Sequence, residues 1–279
     1  MDIKKGTLYV VATPIGNLED ITLRAIRVLN EVQLIAAEDT RRTKKLLDKY
    51  QIHTPMTSLY EHIEGKKSGL LISKMNAGAD IAFVSDAGTP GVSDPGYVLI
   101  NKALTNGVRI VPVPGVSAVI AALSVSGLPM GSFAFFGFLP ARHGKRKQFL
   151  SSLIDEPKTL VFYESPKRLV ASLRDIDSML GCRKVVVLRE LTKVFEEIMR
   201  GTASDIIDKL KEKAIRGEIT LVVAGKEKSP PFFSDDEIID RFEKLRQISN
   251  FSRRDIIEKL AQELGISRKR IYRLVINQG

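Results

Sequence analysis

Three stretches rich in glycine and proline are where this chain could do chemistry. They are Thr13-Pro14-Ile15-Gly16-Asn17-Leu18, Ser85-Asp86-Ala87-Gly88-Thr89-Pro90-Gly91-Val92-Ser93-Asp94-Pro95-Gly96, and Pro112-Val113-Pro114-Gly115-Val116-Ser117-Ala118. Each lies at the end of an apolar run. Glycine lets backbone approach a ligand closely, and proline fixes the shape of a loop. One such loop merely turns the chain. Three behind separate strands, the second long and carrying Asp86 and Asp94, predict a small-molecule pocket outside the carboxyl ends of a sheet. Two charged segments could move a proton: Glu38-Asp39-Thr40-Arg41 and Arg189-Glu190-Leu191-Thr192-Lys193. Asp39, Asp86, Glu190 and Lys193 are the candidates. A buried neutral lysine accepts a proton, whereas a charged one binds phosphate; both readings of Lys193 stay open. Asp39 or Glu38 could instead cap the next helix, with Arg41 paired locally.

Several common chemistries have no signature. The chain has no Gly-x-x-x-x-Gly-Lys-Ser/Thr loop and no Gly-x-Gly-x-x-Gly behind a strand. His53, His62, His143 and Cys182 lack metal-ligand spacing, so no metal is expected. Gly115-Val116-Ser117-Ala118-Val119 is one glycine short of a nucleophile elbow.

The elements that must position these residues alternate. Apolar runs at Leu8–Ala12, Leu34–Ala37, Ile81–Val84, Arg109–Val113 and Phe133–Leu139 are separated by helical stretches, the first with Asp20 as its expected N-cap. This predicts an α/β subdomain over 1–140 with a buried parallel or mixed sheet. Residues 141–147 read as a linker or mobile basic loop. A second α/β subdomain is expected over 141–228, with strands at Thr159–Tyr163, Lys184–Leu188 and Ile219–Ala224 and helices near 166–180 and 203–216. Pro230-Pro231 marks a further boundary, and 229–279 reads as a helical, helix-turn-helix-like tail. There Ser252 caps a helix through Leu264, Gly265 ends it and Ser267 starts another.

The whole chain has 279 residues, 44% of them hydrophobic and 27% charged, which excludes disorder and a disulfide scaffold. A single cysteine and no apolar membrane-length run suit a reducing cytoplasm. Net charge is +10, pointing to a polyanion such as nucleic acid. Residues 241–279 hold 10 basic and 4 acidic residues. Arg253, Arg254, Arg268, Lys269, Arg270 and Arg273 in the tail, and Arg142, Lys145, Arg146 and Lys147 before it, are the expected RNA contacts. With no tryptophan, base stacking would fall to residues such as Tyr60, Tyr97 or Phe138.

The segments Ala12-Thr13-Pro14-Ile15-Gly16-Asn17-Leu18, Ala36-Ala37-Glu38-Asp39-Thr40-Arg41, Val84-Ser85-Asp86-Ala87-Gly88-Thr89-Pro90, Phe162-Tyr163-Glu164-Ser165 and Arg189-Glu190-Leu191-Thr192-Lys193 resemble, in order, those of the ribosomal RNA methyltransferases of the tetrapyrrole methylase superfamily. The resemblance runs from about residue 6 to the C-terminus. It implies S-adenosylmethionine-dependent 2′-O-methylation of a cytidine in the decoding region of 16S rRNA in the small ribosomal subunit. It also implies a homodimer and a cofactor held in a cleft between two α/β subdomains. Carried over by motif, Thr13 and Pro14 form one wall; Asp86, Ala87, Gly88, Thr89 and Val92 hold the methionine end; Ser117, Ala118, Glu164, Leu191 and Leu221 complete the site. Ser117 and Ala118 read equally well as a helix start. Ile63, Lys167 and Ala224 depart from the family pattern, which bears on substrate contacts. Two rival readings are a methylase of porphyrin-like precursors, which would not need the basic tail, and a non-enzymatic nucleic-acid-binding regulator.

Overall fold

The structure, a computed structural model, describes residues 4–211, 215–227, 233–248 and 251–276. The chain divides into two compact units, Met1–Lys226 and Glu227–Gly279. The Pro230-Pro231 pair expected at this boundary lies outside the described residues.

The first unit begins with a sheet of β1 (Thr7–Val11), β2 (Leu34–Ala37), β3 (Met56–Ser58), β4 (Ile81–Val84) and β5 (Arg109–Val113), in the order β3-β2-β4-β1-β5. Every pairing in it is parallel. The strands are apolar throughout because both faces are covered. Val11, Ile35, Ala82 and Val84 pack under α1 (Leu23–Glu31), while Leu8, Ala36, Ile81 and Phe83 meet α3 (Glu61–Asn76) and α4 (Tyr97–Thr105) on the other face. α2 (Thr40–Lys49) joins β2 to β3. Asp20 does not cap α1. It lies in a 3-10 turn, Leu18–Asp20, and Thr22 is the cap, its hydroxyl accepting from the Ala25 amide at 3.1 Å. A cap must sit directly before the first helical residue in extended backbone, and Asp20 is two positions early.

The second sheet contains β6 (Phe133–Phe138), β7 (Thr159–Glu164), β8 (Lys184–Arg189), β9 (Glu197–Thr202) and β10 (Ile219–Val223), in the order β6-β7-β10-β8-β9. β6 runs parallel to β7; the other pairings are antiparallel. The fifth apolar run, expected with the first four, therefore belongs to this sheet. An apolar run specifies burial but not which sheet buries it. α5 (Ala118–Ser126) also packs here, Val119, Ala122 and Leu123 lying against Val161, Val186 and Val222. The chain changes sheets just after β5. α6 (His143–Ser151), α7 (Leu169–Leu180) and α8 (Ala203–Leu210) cover the opposite face through Leu150, Leu173, Ile176 and Ile206.

The expected basic loop at 141–147 is largely the start of α6. Arg142 and Lys145 are exposed, but Arg146 is buried. Its Nε and Nη2 each lie 2.7 Å from Oδ2 of buried Asp175, and its Nη1 donates to the carbonyls of Pro140 and Ala141. Arg146 is therefore corrected from an RNA contact to a core ion pair, since a buried guanidinium is tolerable only with its partners in place.

The second unit consists of α9 (Asp235–Ile248), α10 (Arg253–Leu264) and α11 (Arg268–Ile276) around Ile238, Phe242, Ile256, Leu260, Leu264, Ile271 and Val275. Ser252 and Asp255 form a reciprocal capping box, and Gly265 ends α10 in the left-handed conformation at φ 63°. Arg270 donates to the Phe233 carbonyl and pairs with Asp235 at 2.7 Å, a tie within the unit rather than a side chain free for RNA. The unit as a whole has 11 basic and 9 acidic residues, so it does not carry the chain's charge excess. Residues 1–226 hold 32 basic and 24 acidic residues.

Candidate active site

β1, β4 and β5 are parallel neighbours, so the loops at their carboxyl ends emerge side by side. The first two are stitched together. The Thr13 amide donates to the Gly88 carbonyl and the Gly88 amide to the Thr13 carbonyl, both at 2.9 Å. The Thr13 hydroxyl donates to the Ser85 carbonyl at 3.2 Å. Gly88 takes φ +74°, a left-handed conformation that glycine adopts without strain. Gly115 lets the third loop press on Ala12, where an added Cβ would sit 3.0 Å from the Ala12 methyl. The far end of the long loop is tied down by buried Glu64, whose Oε1 accepts from the Gly96 and Leu99 amides at 3.0 Å each.

These loops form one wall of a cavity of about 340 Å³. Ile15, Ala87, Gly88, Thr89, Val92, Ser93, Asp94, Ser117 and Ala118 line that side. The second sheet supplies the other wall through Phe138, Tyr163, Glu164, Ser165, Pro166, Leu188, Leu191, Gly217, Glu218, Ile219 and Thr220. The structure thus gathers Ala87, Gly88, Thr89, Val92, Ser117, Ala118, Glu164 and Leu191 around one space. Ser117 is also the N-cap residue of α5, without a side-chain capping bond.

Other expected residues lie behind the wall. Thr13 and Pro14 are buried and act through the loop they hold. Leu221 is fully buried on the face of β10 that meets α7 and α8; its neighbour Thr220, on the other face, reaches the cavity instead, as does Ile219 at the start of the strand. Side chains alternate along a strand, so a one-residue offset exchanges core for site. The Asp86 carboxylate is taken up by the Asp39 amide at 3.0 Å and Arg42 at 3.2 Å. Glu164 lines the cavity, yet its carboxylate is filled by Arg168 at 2.6 Å, the Ser172 hydroxyl and the Ser165 amide.

None of the four proton-transfer candidates, Asp39, Asp86, Glu190 and Lys193, lines the cavity. Asp39 caps α2 and pairs with Arg41 at 2.7 Å; the Arg41 guanidinium and amide hold its pKa down to about 2, far too low for a base at neutral pH. Lys193 bonds to Glu190 at 2.8 Å and Glu218 at 3.1 Å. Burial pulls its pKa down, but the two carboxylates outweigh this and raise it, which removes the neutral-lysine reading. Burial also opposes the charge on Glu190, but Lys193 and the Glu218 amide lower its pKa. Glu190 and Thr192 both take positive φ, 54° and 67°, around Leu191. The Thr192 hydroxyl accepts from the Asn17 amide at 3.1 Å, and Lys193 packs on Gly16. The segment is a clasp that presents Leu191 to the cavity.

Two further acids line the cavity: Asp94, which the sequence marked in the long loop without giving it a role, and Glu218, which it did not mark. Burial, reinforced by the charges of Glu38 and Asp86, raises Asp94 to about 6 against a Ser85 hydrogen bond that lowers it. Burial and the charges of Asp94 and Glu218 push the Tyr163 hydroxyl up to about 12, so it stays protonated. The signal for Asp94 was its place in the long loop between Gly91 and Gly96. Glu218 carried none, as it precedes a strand with no motif. Among the described residues there is no metal-type cluster of acids, histidines or cysteine. No helix among them is long and apolar enough to cross a membrane.

Residues 7–207 match the family model described as Tetrapyrrole (Corrin/Porphyrin) Methylases. The chain belongs to the tetrapyrrole methylase family. It is 44% identical over 277 residues to the Ribosomal RNA small subunit methyltransferase I of Halalkalibacterium halodurans, spanning 97% of this chain and 94% of that one. The enzyme of the same name from Thermotoga maritima is 47% identical and is matched over 100% of its length by 80% of this chain. The one from Escherichia coli O157:H7 is 48% identical over 80% of this chain and 79% of its own. This family member is therefore a methyltransferase. Solved structures share the fold at 20% identity. They include the cobalt precorrin-4 methyltransferase of cobalamin biosynthesis (TM-score 0.60, 78% of this chain and 94% of that one) and uroporphyrin-III-C-methyltransferase from Thermus thermophilus (TM-score 0.57, 79% and 94%).

Proposed function

We propose that this protein methylates the 2′-hydroxyl of a cytidine in the decoding region of 16S rRNA in the small ribosomal subunit, using S-adenosylmethionine. The observation that carries the reading is a drug-sized cavity holding an ionisable carboxylate, Asp94, against an apolar wall, in a chain so similar to small-subunit ribosomal RNA methyltransferases. The donor set suits the cofactor: two acids, Asp94 and Glu218, for a molecule with ammonium and sulfonium charges, and Ile15, Val92, Leu188 and Leu191 for its apolar parts. Bound there, S-adenosylmethionine would supply an electrophilic methyl carbon for the ribose oxygen, with S-adenosylhomocysteine as the leaving group and the hydroxyl proton passing to solvent water.

The chain's own contribution is positioning. Asp94, its pKa raised to about 6 and so ionised at neutral pH, would hold the cofactor's ammonium group. Gly88 brings backbone against the ligand, and Tyr163 and Leu191 exclude water from the opposite side. Holding two reactants in line contributes up to roughly 7–11 kcal/mol in well-oriented systems. The enzyme acts in the cytoplasm, where its substrate is, and as a homodimer. Ile120, Val125, Met130 and Phe133, all exposed around α5 and the start of β6, support the second copy.

The deciding experiment is transfer of labelled methyl to small ribosomal subunits, with nuclease digestion and identification of the modified nucleotide. Label in 2′-O-methylcytidine supports the reading. Label only in an added porphyrin precursor overturns it.

A further inference from the structure

The helical unit holds a groove of its own, about 470 Å³, between α10 and α11. Ile257 forms its floor. Tyr272 stands at its edge, 54% exposed, among Arg253, Arg254, Arg268 and Lys269. Arg253 is fixed by a 2.7 Å hydrogen bond to the Val275 carbonyl. Arg268 is paired with Glu258, the lone acid of the lining, at 2.6 Å. Arg254 and Lys269 make no ion pair with a described residue. Five of the unit's nine acids lie on α9, outside the groove, so a nearly neutral unit still presents a cationic surface.

We propose that this groove binds an unpaired stretch of RNA, one base lying on the Tyr272 ring and the flanking phosphates held by Arg254 and Lys269. The proposal rests on the RNA-methylating reading above and places a second contact on the same substrate. An exposed aromatic ring ringed by cations is the combination that stacks a base while neutralising its backbone. A paired target fits less well, because the major groove of duplex RNA is too deep and narrow for side chains of a docked helix to read. The unit also lies beyond residue 207, where the family model ends. An added substrate-holding device fits that position better than a part of the catalytic machinery.

The test uses the full-length protein, a fluorescent single-stranded RNA of about ten nucleotides, and a duplex of the same length. The wild type binds the single strand more tightly than the duplex. Tyr272→Leu weakens single-strand binding at least about fivefold, whereas Tyr272→Phe, which keeps the ring, does not. Arg254→Ala with Lys269→Ala flattens the log–log salt dependence by about 1.4, two phosphates on a single strand. Unchanged helical circular dichroism and an unchanged melt of residues 227–279 certify each variant as folded, since the helical unit has a core of its own. The proposal is overturned if Tyr272→Leu binds the single strand as wild type does, or if the wild type prefers the duplex. It is also overturned if the variants lose affinity for intact small subunits but not for the oligonucleotide, which would assign the groove to a ribosomal protein. A wild type that binds the oligonucleotide through Tyr272 but transfers no methyl to RNA sinks the enzymatic reading and leaves the groove standing.

Discussion

Thr13 and Gly88 exchange two backbone hydrogen bonds of 2.9 Å, an antiparallel bridge beyond the ends of two parallel strands. It locks the loop after β1 to the loop after β4. The cavity wall is therefore one rigid piece rather than two independent turns, and Gly88 is fixed in it at φ +74°.

Replacing Gly88 by valine should leave a folded protein that no longer binds S-adenosylmethionine. An added Cβ has room, its nearest neighbours being Ile15 Cγ2 at 3.5 Å and the Val116 carbonyl at 3.8 Å. The cost is conformational, about 1–2 kcal/mol for an L-residue in left-handed backbone, and it falls on the segment facing the ligand. Titration calorimetry together with a thermal melt checks this. A folded variant with wild-type affinity would remove Gly88 from the site.

Asp94 predicts a pH dependence. Its pKa is raised to about 6, so the carboxylate is charged at pH 7.5 and neutral at pH 5. Cofactor affinity should be flat above pH 6 and fall towards tenfold per pH unit below it. Asp94→Asn should lower affinity at pH 7.5 by roughly tenfold or more, the scale of a lost charge-assisted hydrogen bond, and abolish the pH dependence. A variant that keeps the wild-type profile would assign the titration to another group.

The parts of this site that were legible in the sequence are those set by local backbone demands. Gly88, Thr89 and Ser117 sit in loops whose glycines and prolines announce them, and strands such as Leu34–Ala37 and Ile81–Val84 are continuous apolar runs. What stayed hidden depends on long-range pairing. Phe133–Phe138 reads like its predecessors but pairs with β7, and Arg146 looks like one of four basic residues until Asp175, 29 positions away, is found beside it. The short strand Met56–Ser58 and the polar strand Glu197–Thr202 carried too little apolar pattern to be seen. The proton-transfer candidates failed for a related reason: a charged motif at a strand end can serve the backbone it ends on, as Asp39 does at α2.

Lys193 should prove a positioning residue. Lys193→Met breaks its links to Glu190 and Glu218 and loosens the clasp around Leu191. The Michaelis constant for the cofactor should rise, and kcat should fall by less than tenfold with its pH profile unmoved. Loss of a general base would instead cost kcat about 10²–10⁴-fold. A steady-state comparison at saturating cofactor separates the two outcomes.

Arg146→Met should destabilise the first unit without touching RNA binding directly. It strands the Asp175 carboxylate, 3% exposed, with the largely exposed His143 ring at 3.1 Å as its one remaining charge partner among the described residues. Breaking a buried pair this way costs about 3–5 kcal/mol, whereas replacing both members is often neutral. The double variant Arg146→Met with Asp175→Leu should therefore recover much of the lost stability in denaturant melts. Below its transition, the single variant should bind RNA at the wild-type salt dependence. A flattened slope would restore Arg146 as a phosphate contact.

Ending the chain at Lys226 should separate catalysis from substrate capture. The first unit keeps both sheets and the whole cavity lining, and the family match stops at residue 207. The second unit has its own core around Phe242, Ile256, Leu260 and Ile271, and none of its residues lines the cavity. Affinity for S-adenosylmethionine should be unchanged. The 32 basic against 24 acidic residues that remain still attract RNA, so methyl transfer should survive at saturating substrate. What should change is the Michaelis constant for small subunits, rising about tenfold or more and rising further with salt, because the remaining contacts are screened charges without the Tyr272 groove. Equal Michaelis constants for full-length and truncated proteins at every salt concentration would show that the tail holds no RNA. A truncated protein that has lost cofactor affinity would show instead that the two units are not independent.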